Sequence, residues 1–366
     1  MKHSTLFVGM DESKQTIEVA VAEAGGAREV RRYGSIPNTP AALRRLVGRL
    51  SATRSLHFVY EAGPCGYETY RKLTALGADC VVAAPSKIPR KPGNRIKNDR
   101  RDAETLARLH RAGELTAVWV PDKDTEAMRD LTRAREDAKY AETRAKQRLG
   151  AFLLRHGRRY SGYPWTYKHV KWIREQMFDH PSQQICLDEY LQALAEATGR
   201  VKRLDQQIEQ LVPCWSQARL VQALKALRGV KTLTAATVAA ELGDLTRFQR
   251  ARDLMGFVGL VPSLNDSGQR HSSGRITKTG NMHVRRILTE CSWAYRFPAR
   301  RTPDLMRRMK SQPEAVQQIS WKAQLRLCGR YRKMRARGMP QQKVITAVAR
   351  ELVGFIWATA QEVSAN

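Results

Sequence analysis

The sequence is short of acidic side chains, and it lacks the patterns that mark several common protein classes. Its 366 residues include 35 Asp and Glu against 64 Lys and Arg, which gives a net charge of +29. Such an excess indicates a polyanionic partner, most often nucleic acid. No apolar run reaches the length of a membrane-spanning helix, and the N-terminal segment has no signal-peptide layout. We therefore expect a soluble, cytoplasmic protein associated with nucleic acid, without a membrane partner.

The cysteines and histidines also lack any metal-binding or disulfide spacing. No CxxC pair occurs and the eight histidines do not cluster near the cysteines, so we predict free, mostly buried thiols. A P-loop signature is missing as well, which indicates that ATP is not a cofactor. The six cysteines are Cys65, Cys80, Cys186, Cys214, Cys291 and Cys328.

The first third of the chain has the pattern of an α/β domain, which we place at residues 1–122. Three short β-rich runs with short connections, "TLFVGMDESKQTIEVAVAEAGGAREVRRYGSI", predict an antiparallel meander. Two further strands, "SLHFVYEAG" and "CVVAAP", alternate with helical stretches, so this half of the sheet should be parallel. The expected architecture is a mixed sheet covered by helices.

The rest of the chain has helical periodicity. Residues 123–215 contain two long, charged stretches that predict an antiparallel helical arm, which could pair as a coiled coil with another subunit. Residues 216–366 are expected to form a C-terminal domain that is helical throughout. The fold class is therefore α/β plus α.

Aromatic and basic residues interleave between the two arm stretches, in "RRYSGYPWTYKHVKW". Aromatic rings beside cations suit stacking on unpaired bases and contact with phosphate, through residues such as Tyr163, Trp165 and Lys168. The alternative is a helix-hairpin tip that packs on its own aromatic rings.

Four acidic residues of the first domain stand at positions that suit a metal site. Asp11 and Glu61 each follow an apolar strand, and neighbouring parallel strands would bring both to one edge of the sheet. Asp99 and Asp102 lie three residues apart at the start of a helix, on one face. Clustered carboxylates repel each other unless cations neutralise them, and an all-oxygen set favours Mg²⁺ or Mn²⁺. The alternative is that each carboxylate caps a helix or pairs with a nearby arginine.

The segment "NDSGQRHSSGRITKTGN", residues 265–281, has a single aliphatic side chain and cannot form a core. We expect a flexible loop that approaches a phosphate, with Arg270, Arg275 and Lys278 neutralising its charge. Several hydroxyl groups could serve as a nucleophile, and the residues alone do not choose among Ser263, Ser267, Ser272 and Ser273.

Three acidic motifs, "VGMDESK", "YEAGPCG" and "KNDRRDAETLA", resemble those of the DEDD transposases of bacterial insertion-sequence family one hundred and ten. The segments "LRGVKTLTAATVAAELGD", "FVGLVPSLNDSG" and "GRITKTGNMHVRRIL" resemble that family's C-terminal transposase domain, in the same order. The resemblance covers most of the chain. It implies an N-terminal ribonuclease-H-like (RuvC-like) domain in which Asp11, Glu61, Asp99 and Asp102 form the metal-binding tetrad.

The resemblance also implies a role for Ser267, which stands before a glycine in "GLVPSLNDSG", as the nucleophile on DNA. It further implies donor and target DNA as substrates, a structured bridge RNA as guide, and a nucleoid-associated homo-oligomer, dimer or tetramer, with composite sites. Two alternatives from other classes are a metal-dependent junction endonuclease that uses water and a non-catalytic RNA-binding scaffold.

The basic stretches should lie on nucleic-acid backbones. Beyond the residues named above, the predicted nucleic-acid contacts are Lys87, Arg90, Lys91, Arg95, Lys97, Arg330, Arg332 and Lys333.

Overall fold

The computed structural model describes residues 4–25, 30–51, 54–89, 99–267 and 270–365, with only the backbone described for residue 4 and residues 264–267 and 270–273. It divides into two compact units, Met1–Val120 and Pro121–Asn366. The second unit contains both the predicted arm and the predicted C-terminal domain, and the boundary between these at residue 215 stays a prediction.

The first unit is a five-stranded mixed sheet in the order β3-β2-β1-β4-β5. The first three strands form an antiparallel meander, and β4 and β5 run parallel to β1, which confirms the predicted sheet. The strands are β1 (Ser4–Glu12), β2 (Thr16–Glu23), β3 (Arg31–Pro37), β4 (Arg54–Glu61) and β5 (Asp79–Ala83), and the helices are α1 (Pro40–Leu50), α2 (Glu68–Ala75) and α3 (Asp99–Arg111), with a 3-10 turn at Pro85–Lys87.

The two faces of this sheet are covered by different helices, because successive side chains of a strand point to opposite faces. One face, which includes Val8 and Met10 of β1, packs in a core with leucines of α1 and α2. On the other face, Phe7 clusters with Ala103 and Ala107 of α3. The residues of β1 therefore divide alternately between the two layers.

Gly9 allows α3 to approach β1 closely. A Cβ atom built on Gly9 would fall on the carbonyl oxygen of Ala103 and the amide nitrogen of Ala107, which are backbone atoms that cannot rotate away. The first unit thus depends on a helix-to-strand contact that no other residue type permits.

The second unit is mainly helical, and its helices share one large core. Its central helix is α8, in which every residue from Thr234 to Leu242 is buried. The elements are α4 (Lys123–Arg155), α5 (Tyr167–Arg174), α6 (Pro181–Leu211), α7 (Ala218–Leu224), α8 (Thr232–Leu242), α9 (Ala251–Phe257), β6 (Pro262–Ser267), β7 (Arg270–Ile276), α10 (Met282–Ser292), α11 (Pro303–Met309), α12 (Glu314–Ala336) and α13 (Gln341–Ala365), with 3-10 turns at Val212–Cys214, Leu245–Arg247 and Trp293–Arg296.

The long helices α4 and α6 pack against each other in opposite directions. Arg135, in the first half of α4, pairs with Asp205, in the second half of α6, at 2.7 Å. At the other end Leu149 of α4 shares a small core with Leu187 of α6. This confirms the predicted antiparallel arm, and pairing with another subunit stays a prediction.

The prediction that residues 216–366 are helical throughout is wrong, because β6 and β7 form an antiparallel hairpin. A polar two-stranded ribbon satisfies its backbone groups by pairing, without the apolar alternation by which strands are predicted from sequence. All six thiols are free, as predicted, but only Cys80, Cys291 and Cys328 are buried, whereas Cys186 and Cys214 are exposed.

We expect Gly9→Ala to destabilise the first unit by about 2 kcal/mol or more, because the added methyl group forces α3 away from β1. The measurement is urea denaturation of the full chain. Gly48→Ala in α1 is the matched control, since its Cβ would meet nothing within 4 Å and the change should stabilise the helix by about 0.5 to 1 kcal/mol. Equal stabilities of the two variants would contradict the close contact.

Candidate active site

The strands place Asp11 and Glu61 beside each other at one edge of the sheet. Met10 of β1 pairs with Tyr60 of β4 in parallel register, so the next residue of each strand is the predicted acid. Asp11 follows Gly9 by two residues and therefore lies on the face that α3 covers. Glu61 follows Val59, which clusters with Leu106 of α3, and lies on the same face. Both acids are half-buried.

Helix α3 runs antiparallel to β1, so its first turn lies at this same edge. His110, near the helix end, packs edge-on against Phe7 with ring centroids 5.3 Å apart, while Ala103 and Ala107 lie on Gly9. The end of β1 that carries Asp11 therefore lies beside the N-terminus of α3. At that end of the helix Asp99 is exposed and Asp102 is half-buried. The fold brings all four predicted acids to one edge of the sheet.

These acids have the chemistry of divalent-cation ligands, but in the described structure they do not form a closed ligand set. Carboxylate oxygens are the ligands that Mg²⁺ and Mn²⁺ prefer. Within the described ranges, however, no three His, Cys, Asp or Glu side chains lie close enough together to hold a metal ion. A metal site built from these four acids would therefore require their side chains to move toward each other.

Glu12 is an acid at the same strand end that plays a different part. It lies on the opposite face from Asp11, where its Oε1 accepts hydrogen bonds from Thr69 Oγ1 at 2.7 Å and from Asn38 Nδ2 at 3.0 Å. Glu12 thus ties β1 to the start of α1 and to α2. The period-2 alternation of a strand distinguishes the two neighbouring acids.

Ser267 lies at the last backbone pair of the β6–β7 hairpin. It pairs with Arg270, whereas Ser272 and Ser273 pair with Asn265 and Leu264, closer to the base. The prediction of a flexible loop is wrong for this segment, because paired strands extend to Ser267. The side chains of Ser267, Arg270, Ser272 and Ser273 lie outside the described part of the chain.

Ser263 has a structural role inside the hairpin. Its Oγ donates to the carbonyl oxygen of Arg275 at 3.1 Å, and a Cβ on Gly274 would fall on that hydroxyl. This hydroxyl is therefore engaged across the two strands.

The base of the hairpin is held by contact between two glycine turns. The N–H of Lys278 donates to the carbonyl of Gly259 at 3.1 Å. Gly259 and Gly280 have φ angles of +72° and +75°, and a Cβ on either would collide with backbone of the facing turn. Arg285 of α10 donates to the carbonyl oxygens of Val258 and Thr279, at 2.9 and 3.2 Å. The hairpin is thus fastened to the start of α10.

A buried carboxylate connects this base to the arm. Glu241 of α8, whose side chain is 1% exposed, accepts two hydrogen bonds from Arg133 of α4, at 2.7 and 2.9 Å. Asn281, the N-cap of α10, donates to the same carboxylate at 2.6 Å. A second contact joins the same helices, since Glu136 of α4 binds Arg286 and His283 of α10. The sequence reasoning missed Glu241, although an acid within the apolar helix "TLTAATVAAEL" signals a buried partner.

Comparison with known proteins identifies the group to which these features belong. Residues 8–157 match the profile of DEDD-type transposases of IS110, and residues 221–306 match the profile of the transposase IS116/IS110/IS902 family. The chain is 48% identical to the protein of Sinorhizobium fredii named transposase y4qE, over 97% of this chain and 88% of that protein. The chain belongs to the IS110 family of transposases. It is also 30% identical to the transposase of insertion sequence element IS1533 of Leptospira borgpetersenii, over 90% of this chain and 96% of that protein.

As a member of this family, the transposase acts on DNA and mobilises an insertion sequence. A more distant relative, at 25% identity over 64% of this chain and 66% of that protein, is the pilin gene-inverting protein of Moraxella lacunata. In the described part of the transposase, no helix combines the length and apolarity needed to span a membrane.

The predicted basic contacts of the transposase differ in their surroundings. Lys87, Arg275, Lys278, Arg332 and Lys333 are exposed. The Nε of Arg330 lies 2.8 Å from a carboxylate oxygen of Glu351, so part of its charge is neutralised within the protein. The remaining predicted contacts in the first unit, Arg90, Lys91, Arg95 and Lys97, lie outside the described residues.

The aromatic residues at the tip of the arm, within residues 158–172, fall into two groups. Tyr160 and Trp172 pack with His169, at ring-centroid distances of 4.7 to 5.8 Å. Trp165 packs in the same small core, whereas Tyr163 and Tyr167 are 86% and 85% exposed. Packing of the rings on one another thus accounts for the first group. Stacking on unpaired bases stays a prediction for Tyr163, as does phosphate contact for the exposed Lys168.

We expect Glu241→Gln to destabilise the second unit by roughly 2 kcal/mol, because it replaces the buried carboxylate that accepts hydrogen bonds from Arg133 and Asn281. Burial acts to raise the pKa of Glu241, but Arg133, Asn281 and Arg129 outweigh it, so the pKa lies below its usual 4.5. A depressed folded-state pKa contributes stability above the unfolded value, and this is lost as pH falls through the folded value. Denaturation midpoints of wild type and variant should therefore converge below pH 4.5.

The control for this prediction is Glu290→Gln, which removes a carboxylate that is 62% exposed and pairs with Arg286 at the surface. It should cost less than about 1 kcal/mol. A Glu241→Gln protein as stable as this control would contradict the role of the buried network.

Proposed function

We propose that this transposase cuts and rejoins DNA through Ser267 as nucleophile, with Asp11, Glu61, Asp99 and Asp102 binding Mg²⁺ or Mn²⁺. The observation that carries the proposal is the placement of all four acids at one sheet edge by the contact of α3 with Gly9. A bound cation would neutralise these carboxylates and offset the repulsion between them as they move together.

The carboxylates of Asp11, Glu61 and Asp102 would hold the metal, because they are half-buried at this edge, and Asp99 would complete the set. When bound, the metal supplies electrostatic stabilisation of the charge that develops on phosphate oxygens. The protein contributes the fixed positions of the strand ends and of the first turn of α3.

Ser267 is suited to act as the nucleophile because it lies at the hairpin tip and because the hairpin base is held against α10. In the proposed step its Oγ forms a bond to phosphorus while the bond from phosphorus to one deoxyribose oxygen breaks. The serine proton passes to a base, and the released deoxyribose oxygen takes up a proton. The hydroxyl of the exchanged strand then attacks the phosphoserine, reforms a phosphodiester and releases Ser267. The ester keeps the energy of the broken bond, so the cycle balances without ATP.

The acids lie in the first compact unit and Ser267 in the second, so the proposed site is composite. We further propose that it forms within a homo-oligomer, and that a structured guide RNA selects donor and target DNA by base pairing. The net charge of +29 supports this, because backbone contacts supply affinity without reading sequence. A junction endonuclease with water as nucleophile would use the same acids, and the serine variants separate the two functions.

For the tetrad we expect Asp102→Asn to reduce recombination of a plasmid substrate to background and to weaken Mn²⁺ binding in titration calorimetry. The variant removes a ligand but leaves the helix packed, so its folding stability should change by less than about 1 kcal/mol. Glu104→Gln is the matched control on the same helix, since Glu104 pairs locally with Arg100 at 3.2 Å. Wild-type recombination by Asp102→Asn would exclude this residue from the metal site.

For the nucleophile we expect Ser267→Ala to abolish recombination while DNA affinity, measured by fluorescence anisotropy, changes by less than about twofold. Ser272→Ala and Ser263→Ala should keep most activity, because the first lies farther from the tip and the second bonds within the hairpin. If Ser267→Ala recombines DNA normally, or if only Ser272→Ala is inactive, the assignment is wrong.

A further inference from the structure

A loop of exposed arginines follows α10 in the second unit. It comprises residues 296–301, between the turn Trp293–Arg296 and α11, and is called the arginine loop below. Arg296, Arg300 and Arg301 are exposed, and Phe297 is 52% exposed. Lys322, next to Trp321 on α12, is exposed as well.

Two of these guanidinium groups lie over aromatic rings. The guanidinium carbon of Arg296 lies 4.6 Å from the ring centroid of Phe297 and 5.9 Å from that of Trp293. That of Arg301 lies 4.8 Å from the ring centroid of Trp321. Stacking fixes the plane of a guanidinium while leaving its N–H edges available, so less conformational entropy is lost when it binds an anion.

Two hydrogen bonds fix the backbone of the arginine loop. Arg228 donates to the carbonyl oxygen of Pro298 at 2.7 Å. The N–H of Arg300 donates to Oε1 of Gln324, a fully buried residue of α12, at 3.2 Å. These contacts hold the exposed side chains in a constant arrangement.

The positive charge of the loop is not neutralised within the described part of the protein. Among the described residues, no carboxylate forms an ion pair with Arg296, Arg300, Arg301 or Lys322. This contrasts with Arg326 and Arg330 on the same helix as Lys322, which both pair with Glu351.

We propose that the arginine loop, together with Trp321 and Lys322, binds the phosphodiester backbone of a nucleic acid. The planar edges of arginine match two phosphate oxygens at once, and Lys322 adds a point charge beside them. The assignment rests on the proposed function and deepens it by naming a surface that holds the substrate away from the reacting phosphate.

The location suits such a role, because α10 connects the two places. The hairpin is fastened to the start of this 11-residue helix, and the turn that leads into the arginine loop begins directly after its end. A helix of this length spans about 16 Å at 1.5 Å per residue. A nucleic acid that contacts the base of the hairpin therefore needs to extend only a few nucleotides to reach the loop.

The test compares two triple variants of the full chain that carry the same total charge. Arg296→Gln, Arg300→Gln and Arg301→Gln remove the loop charges, whereas Arg44→Gln, Arg45→Gln and Arg49→Gln remove three exposed arginines of α1 in the first unit. A labelled DNA duplex and a labelled RNA hairpin are titrated separately by anisotropy at several salt concentrations.

For the loop variant we expect affinity for at least one probe to fall by about tenfold or more, with the slope of log affinity against log salt flattened by about two to three units. The probe that loses affinity identifies the bound nucleic acid, and the α1 variant should lose less than about threefold. Equal losses in both variants, or no loss in the loop variant, would overturn the proposal. Because no chemistry is measured, this result is independent of whether Ser267 is the nucleophile.

A single substitution tests the role of stacking. Arg301→Lys keeps the charge but cannot stack a planar group on Trp321, and we expect affinity to fall by about threefold. Full affinity in this variant would overturn the role given to the stacked geometry.

Discussion

A helix or a turn can pack its backbone directly onto another backbone segment only where the facing residue has no Cβ, and both candidate catalytic regions of this transposase depend on such contacts. In the first unit, Gly9 lets α3 lie directly on β1, which sets the first turn of the helix at the strand ends that carry Asp11 and Glu61. In the second unit, Gly259 and Gly280 let two turns interlock under the hairpin. Side chains at these points would displace the elements that position the chemistry.

Charge is distributed according to a second constraint, which is that a buried charge needs a partner. Glu241 and Glu136 use arginines of α4 and α10 to join the arm to the hairpin base. The cations left over, including the arginine loop, face solvent and account for the polyanion affinity that we propose. Within the second unit, paired arginines thus hold helices together, and exposed arginines are the ones that we propose bind nucleic acid.

Much of the fold could be predicted from the sequence, because apolar periodicity reports on burial. It indicated the meander, the parallel strands and the antiparallel arm, and the ends of apolar strands placed Asp11 and Glu61 at one edge. The hairpin was not predicted, because its strands are polar and pair through the backbone. Beyond Leu264 and Ile276 they contain little of the apolar alternation that marks a strand. Periodicity also does not tell which aromatic rings of the arm tip pack together, a choice that depends on contacts such as that of Tyr160 with His169. The position of Asp99 and Asp102 relative to Asp11 and Glu61 depends on Gly9. The close contact of this glycine with a helix has no local sequence signature.

The central claim is that Ser267 forms a covalent bond to DNA with help from the acids of the first unit. The most direct test incubates the full-length transposase with Mg²⁺, guide RNA and DNA carrying the element junction and target, and then maps covalent protein–DNA adducts by peptide mass spectrometry. The account predicts a nucleotide linked to the peptide that contains Ser267, absent from both the Ser267→Ala and the Asp11→Asn proteins. Cleavage of the DNA by the wild-type protein without any adduct would contradict it and would indicate water as the nucleophile.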